Sequence, residues 1–151
     1  MQRMIDRILS LLNGGRSAPQ EDSEQAGRTA IAAILVEAAN ADGVYLDAEQ
    51  TMIDRILAER FGLSNDAAQE LRIDGETAQA EAVDLVGFTR AVKDAVPFEE
   101  RIEVIEAVWR VVYADGERDM DEGALIRKLS GLLYVPDRDA GLARQRVLGG
   151  K

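Results

Sequence analysis

The feature that most constrains this chain is a stretch that occurs twice. Ala41-Asp42-Gly43 is followed six residues past the glycine by Glu49, and Ala114-Asp115-Gly116 is followed at the same distance by Glu122. The copies stand 73 positions apart. At that offset Ile53 falls on Ile126, Phe61-Gly62-Leu63 on Tyr134-Val135-Pro136, and Asp66-Ala67 on Asp139-Ala140. A shared period of this length is that of a duplicated helix–turn–helix unit.

The apolar spacing between these landmarks is helical throughout. Met1, Met4, Ile5, Ile8, Leu9, Leu11 and Leu12 fall mostly on one face, opposite Arg3, Asp6, Arg7 and Ser10, and Asn13-Gly14-Gly15 ends that helix. Arg16 to Ser23 is polar, contains Pro19 and is expected to be a linker. Ser23 then caps a helix carrying Ile31, Ile34, Leu35 and Ala38 to the Asp42-Gly43 turn. Asp47, with Gln50 three residues on, is expected to cap the next, whose stripe is Met52, Ile53, Ile56 and Leu57 up to Phe61-Gly62. Ser64 caps a helix with Ala67, Ala68 and Leu71 that runs on through Gly75. Asp84 caps a connector with Leu85, Phe88, Ala91 and Val92 inward, and Pro97, Glu99 and Glu100 open the helix of Ile102, Ile105, Val108, Trp109 and Val112. Asp119 caps the helix of Leu125, Ile126, Leu129 and Leu132, and Asp137 the last, with Leu142, Ala143 and Val147 inward. No stretch alternates like a strand. The fold expected is all-α: a bundle of about seven to eight helices, two similar helix–turn–helix halves around a helical connector. Its parts are residues 1–22, an N-terminal amphipathic helix and linker; 23–147, the helical domain; and 148–151, a disordered tail.

Composition removes several chemistries. Without cysteine there is no disulfide, zinc finger or thiol nucleophile, and without histidine the usual neutral-pH base and the commonest zinc, copper and haem ligand are missing. There is no glycine-rich phosphate loop, serine elbow or basic aromatic strip. A net charge of −10 repels nucleic acid and favours cations or basic partners, although acidity also serves solubility alone. No apolar run reaches the roughly 20 residues of a membrane span, and no secretory signal is visible. A cytoplasmic place is expected, with peripheral contact at the inner membrane as a variant.

The acidic turns have calcium-loop spacing, with glycine at position 6 and glutamate at position 12. Position 1, however, would be Ala38 or Val111, and neither supplies a side-chain oxygen. An EF-hand is excluded. A second geometry survives: each turn offers one acid at a helix end and another at the next helix start. Asp42, Glu49, Asp115 and Glu122, with Asp47, Asp119 and Asp121 near by, would form a hard-oxygen site for calcium, magnesium or manganese. Ordinary capping explains the same residues, since Asp-Gly ends helices and first turns favour acids. Both remain open. Glu37 and Glu106 extend the acidic region or are merely exposed, Arg101 and Arg110 pair with the turns or form surface salt bridges, and Trp109 with Tyr113 is an aromatic pair for the core.

At these residues the chain resembles the TerB-like family, named for tellurite-resistance proteins, and most of all its stand-alone branch. The matching pieces are LVEAANADG (Leu35–Gly43) with Glu49, FGLS (Phe61–Ser64), DLVGFTRAV (Asp84–Val92), FEERIEVIEAVWRVVYADG (Phe98–Gly116), and Glu122 with LIRKLSGLL. Together they span Ser23 to Arg146. The resemblance implies an all-helical fold, no enzymatic activity, no organic cofactor, and a divalent-cation site at Asp42, Glu49, Asp115 and Glu122. It also implies service in stress-linked, membrane-associated complexes with a protein partner, for which the acidic surface predicts a basic one. The alternative is an interaction scaffold whose acidic turns are only helix caps. One departure stands out: Val44-Tyr45-Leu46-Asp47 makes the first turn more apolar and puts its middle acid one position later than Asp119 lies in the second.

Overall fold

The computed structural model describes residues 18–41, 43–114 and 121–149. Among these are seven α-helices and no strand: α1 (Ala18–Ala39), α2 (Asp47–Phe61), α3 (Asn65–Glu81), α4 (Val86–Ala95), α5 (Arg101–Val112), α6 (Asp121–Leu132) and α7 (Asp137–Gly149). One 3-10 turn, Phe98–Glu100, leads into α5 after Pro97. The expected N-terminal helix over Met1–Leu12 lies outside the described residues.

Helix α1 is the axis. Every residue from Ala30 to Val36 is at most 2% exposed, so the helix is apolar all round there and buried all round. Its closest neighbours are α3 and α4, while α5 packs on α7 and also touches α1. Two glycines permit the close approaches. A Cβ on Gly75 would lie 2.6 Å from Ala32 Cβ and 2.8 Å from the Ala32 carbonyl carbon, and one on Gly27 would lie 2.4 Å from Ala95 Cβ. Gly75, expected merely to be tolerated inside its helix, is therefore the contact surface of α3 against α1.

Local signals set most boundaries. Gly62 takes a left-handed conformation (φ 63°) at the end of α2, and Ser64 Oγ accepts from Ala67 N at 3.2 Å to start α3. Asp84 Oδ1 accepts from Val86 N at 3.0 Å ahead of α4. Three expectations are corrected. Helix α1 begins at Ala18, not Ser23, because Pro19 sits in the first turn, where its missing N–H has no helical partner to lose. Leu142 is 41% exposed, because α7 turns Ala140 and Ala143 to the core instead. The last helix continues through Leu148 and Gly149, beyond the expected end at Val147.

Arg101, expected to pair with the acidic turns or to form a surface salt bridge, binds backbone carbonyls instead. Arg101 donates to Lys93 O (Nη2, 3.3 Å), Val96 O (Nε, 3.3 Å) and Leu133 O (Nη1, 3.4 Å). It thus caps the carbonyl ends of α4 and α6, which helical hydrogen bonding leaves without partners.

Candidate functional site

The turn between α1 and α2 is built by backbone geometry first. Gly43 adopts φ 83° and its N–H donates to Asn40 O at 2.9 Å, closing the end of α1. The chain then runs extended to Leu46 (φ −89°, ψ 155°), which holds the cap position of α2 but has no side-chain oxygen. Glu49 answers that lack: its Oε1 accepts from Leu46 N at 2.8 Å. The expected Asp47–Gln50 cap is thereby displaced by one residue, to Leu46 and Glu49. Glu49 is only 3% exposed. A carboxylate can be buried there because a backbone amide and the positive end of α2 both favour its charge.

A second set of contacts pins this turn to α3. Tyr45 Oη donates to Glu76 Oε2 at 2.7 Å, Arg72 Nη1 donates to the same oxygen at 2.7 Å, and Arg72 Nε donates to Asp54 Oδ1 at 2.6 Å. Burial, reinforced by the Glu76 carboxylate, pushes the Tyr45 phenol well above its ordinary value of 10.0. The only sequence signals for this network are the apolar Val44-Tyr45-Leu46 run and the i,i+4 spacing of Arg72 and Glu76.

Of the expected ligands, the side chains of two are described. Glu49 is buried and Asp47 is exposed in the first turn of α2. Asp42, Asp115 and Asp119 lie outside the described residues. Asp121 and Glu122 belong to the first turn of α6, and their side chains lie outside the described part. Among the described residues no three acidic side chains are grouped closely enough to hold a metal ion. Glu49 fits the oxygen-donor chemistry of such a site, with one oxygen already committed to its own turn.

The remaining candidates have structural employment. Glu37 is half-buried and accepts from Gln79 Nε2 at 2.7 Å, and Glu106, half-buried too, pairs with Arg146. Arg110 reaches Glu59 at 3.3 Å on the surface, and Arg101 serves the carbonyls described above. Trp109 and Tyr113 are core, as expected, with rings stacked at 5.7 Å. Trp109 Nε1 donates to Ala140 O at 3.3 Å, and Arg144 Nε donates to Tyr113 Oη at 2.8 Å.

The hydrogen bonds around the two turns recur, but not at one constant offset. Asn40 N to Val36 O and Ala41 N to Ala38 O are repeated 73 positions on by Tyr113 N to Trp109 O and Ala114 N to Val111 O. Leu63 N to Ala58 O and Ala68 N to Ser64 O are repeated 72 positions on by Val135 N to Ser130 O and Ala140 N to Pro136 O. Left-handed Gly62 likewise has its counterpart in Tyr134 (φ 61°), not in Val135 as the constant offset required.

No helix among the described residues is long and apolar enough to cross a membrane. The sequence model of the family described as "Tellurite resistance protein TerB" matches residues 28–145. No curated protein and no solved structure matches the chain.

Proposed function

The chain belongs to the TerB family, whose model covers well over half of it, and from this premise we propose that it is a non-catalytic helical module that binds a divalent cation through its acidic turns. The cation is of the hard class, calcium, magnesium or manganese, and the ligands are Asp42, Glu49, Asp115 and Glu122, with Asp47 and Asp119 beside them. The module works in a stress-linked cytoplasmic complex, peripheral to the membrane where it meets one, and its net charge of −10 favours a basic protein partner.

The observation that carries this reading is Glu49. It is a carboxylate 3% exposed, held by Leu46 N in a turn that Tyr45 fastens to α3. Such a turn presents its oxygens with little freedom left to lose, which favours coordination. The recurring hydrogen bonds support descent of both halves from one unit. Buried Ile53, Ile56 and Leu57 of α2 match buried Ile126, Leu129 and Ser130 of α6 at the 73-residue offset, so the change to 72 falls at the ends of these helices and Glu49 stays opposite Glu122.

The scaffold reading has its own support. The Glu49 oxygen that accepts from Leu46 N is acting as a helix cap and needs no metal to explain it. Thermal unfolding against each cation separates the two. A metal site gives a saturable rise, about 2.7 kcal/mol at a hundred times Kd, that is lost in Asp42→Ala/Asp115→Ala. An unchanged melting curve at millimolar metal leaves the scaffold.

A further inference from the structure

Beside the start of α1 runs an apolar groove of about 620 Å³, independent of the acidic turns. Asp22, Gln25, Ala26 and Thr29 form its α1 wall, and Val83, Gly87, Phe88 and Ala91 its opposite wall on the α3–α4 connection and α4. Val83, in that wall, is fully exposed, and Val86, next to Gly87 but outside the lining, is 42% exposed. A Cβ added to Gly87 would meet nothing within 4 Å. Large aliphatic side chains turned to water beside empty space, at a crossing of two helices, form a surface that a third helix would complete.

We propose that the occupant is this chain's own segment Met1–Leu12, lying as a helix in the groove. Reach supports it. The segment ends five residues before α1, at Asn13-Gly14-Gly15-Arg16-Ser17, and the two glycines let the chain reverse there. Five residues span up to about 17 Å, enough to bring the segment back alongside Asp22. Length supports it too: twelve residues make a helix of about 18 Å, whereas the α1 wall from Asp22 to Ala30 is about 12 Å long. The chemistry is complementary. Met4, Ile5, Ile8, Leu11 and Leu12 supply the apolar face, and Arg7, one turn before Leu11 at the edge of that face, suits a rim that carries the exposed acids Asp22 and Asp84. A second apolar groove, at Phe98, Ile102 and Leu142, lies on α5 and α7, and α1 contributes nothing to its lining.

The chain has no cysteine, so Ser10→Cys accepts a single nitroxide on the polar face of the segment. In the full-length protein the label removes the amide signals of Gln25–Ala30 and Ala82–Ala91, and reduction of the nitroxide restores them. Adding Gly87→Glu, which fills the groove with an acid on an exposed first-turn position, restores those signals without reduction and leaves the spectrum of α5–α7 unchanged. Three results overturn the proposal: loss of signals around Phe98 and Leu142 instead, no loss at all, or loss appearing in unlabelled protein mixed with labelled, which would mean a second copy fills the groove. Retention of the loss in Gly87→Glu overturns it as well. None of these outcomes depends on whether a cation binds.

Discussion

Helices α1 and α5 end on the same hydrogen-bond pattern, 73 positions apart, yet they meet their neighbours in opposite ways. Helix α1 is walled with alanine and crossed at glycine: Gly75 of α3 lies on Ala32 and Gly27 lies on Ala95. Helix α5 carries the bulk itself, with Trp109 set over α7, where the facing residues are Ala140 and Ala143. Small against small brings backbones together; large against small keeps them apart. The contrast teaches that two helices ending on the same hydrogen-bond pattern can pack in two ways, α1 as the buried axis of the bundle and α5 as a wall beside it.

Substitutions that exchange these solutions break the comparison. Trp109→Ala removes the bulk from the α5–α7 contact together with its bond to Ala140 O, and a loss of about 3–5 kcal/mol by denaturant unfolding is expected. Gly75→Ala adds bulk where there is none to spare, against backbone atoms of α1, and is expected to cost about 1–3 kcal/mol although alanine is the better helix former. Stability equal to or above the parent in Gly75→Ala would show that α1 can shift, and the comparison would fail.

The helix ends sharpen it on a smaller scale. Gly62 and Tyr134 share the left-handed conformation, which costs a residue with a Cβ about 1–2 kcal/mol. Gly62→Ala is therefore expected to destabilise by about 1 kcal/mol. Tyr134→Gly is expected to stabilise by less than about 1 kcal/mol, since it also gives up the contact of Lys93 Nζ, 4.6 Å from the tyrosine ring. Opposite signs at matching positions would confirm the 72-residue register, and equal signs would contradict it.

A further effect of similar size concerns pH. The Tyr45 phenol is raised in the folded state, so the unfolded chain ionises first as pH climbs. The stability it contributes is fully present below about pH 10 and is lost as pH rises toward the folded value. Tyr45→Phe is expected to flatten that alkaline decline while costing about 1 kcal/mol at neutral pH through the lost bond to Glu76.

Much of this fold was legible because its punctuation is strong: Gly62, Ser64, Asp84 and Pro97 each act locally, within one turn. Interactions that join distant segments were not. Arg101 looks in sequence like any surface arginine, and only the meeting of α4 with α6 gives it three carbonyls. Gly75 reveals its purpose only when Ala32 lies against it. The change of register was hidden because it falls at the end of α6, where Tyr134 takes the left-handed position that Gly62 holds after α2 and no glycine marks it. The acidic turns were visible as residues, but the role of Glu49 as the cap of α2, with Leu46 in the place expected for Asp47, required the backbone.

Manganese gives the most direct test of the cation site. Added below one equivalent, a paramagnetic ion held by the two turns would erase the amide signals of Val44–Glu49 and Asp121–Gly123 together, and excess magnesium or calcium would restore them. Glu122→Gln would weaken the effect in the second turn as Glu49→Gln would in the first. Diffuse broadening centred on the surface acids Glu59, Glu100 and Glu103, with both turns untouched, would contradict the site and leave the turns as helix caps.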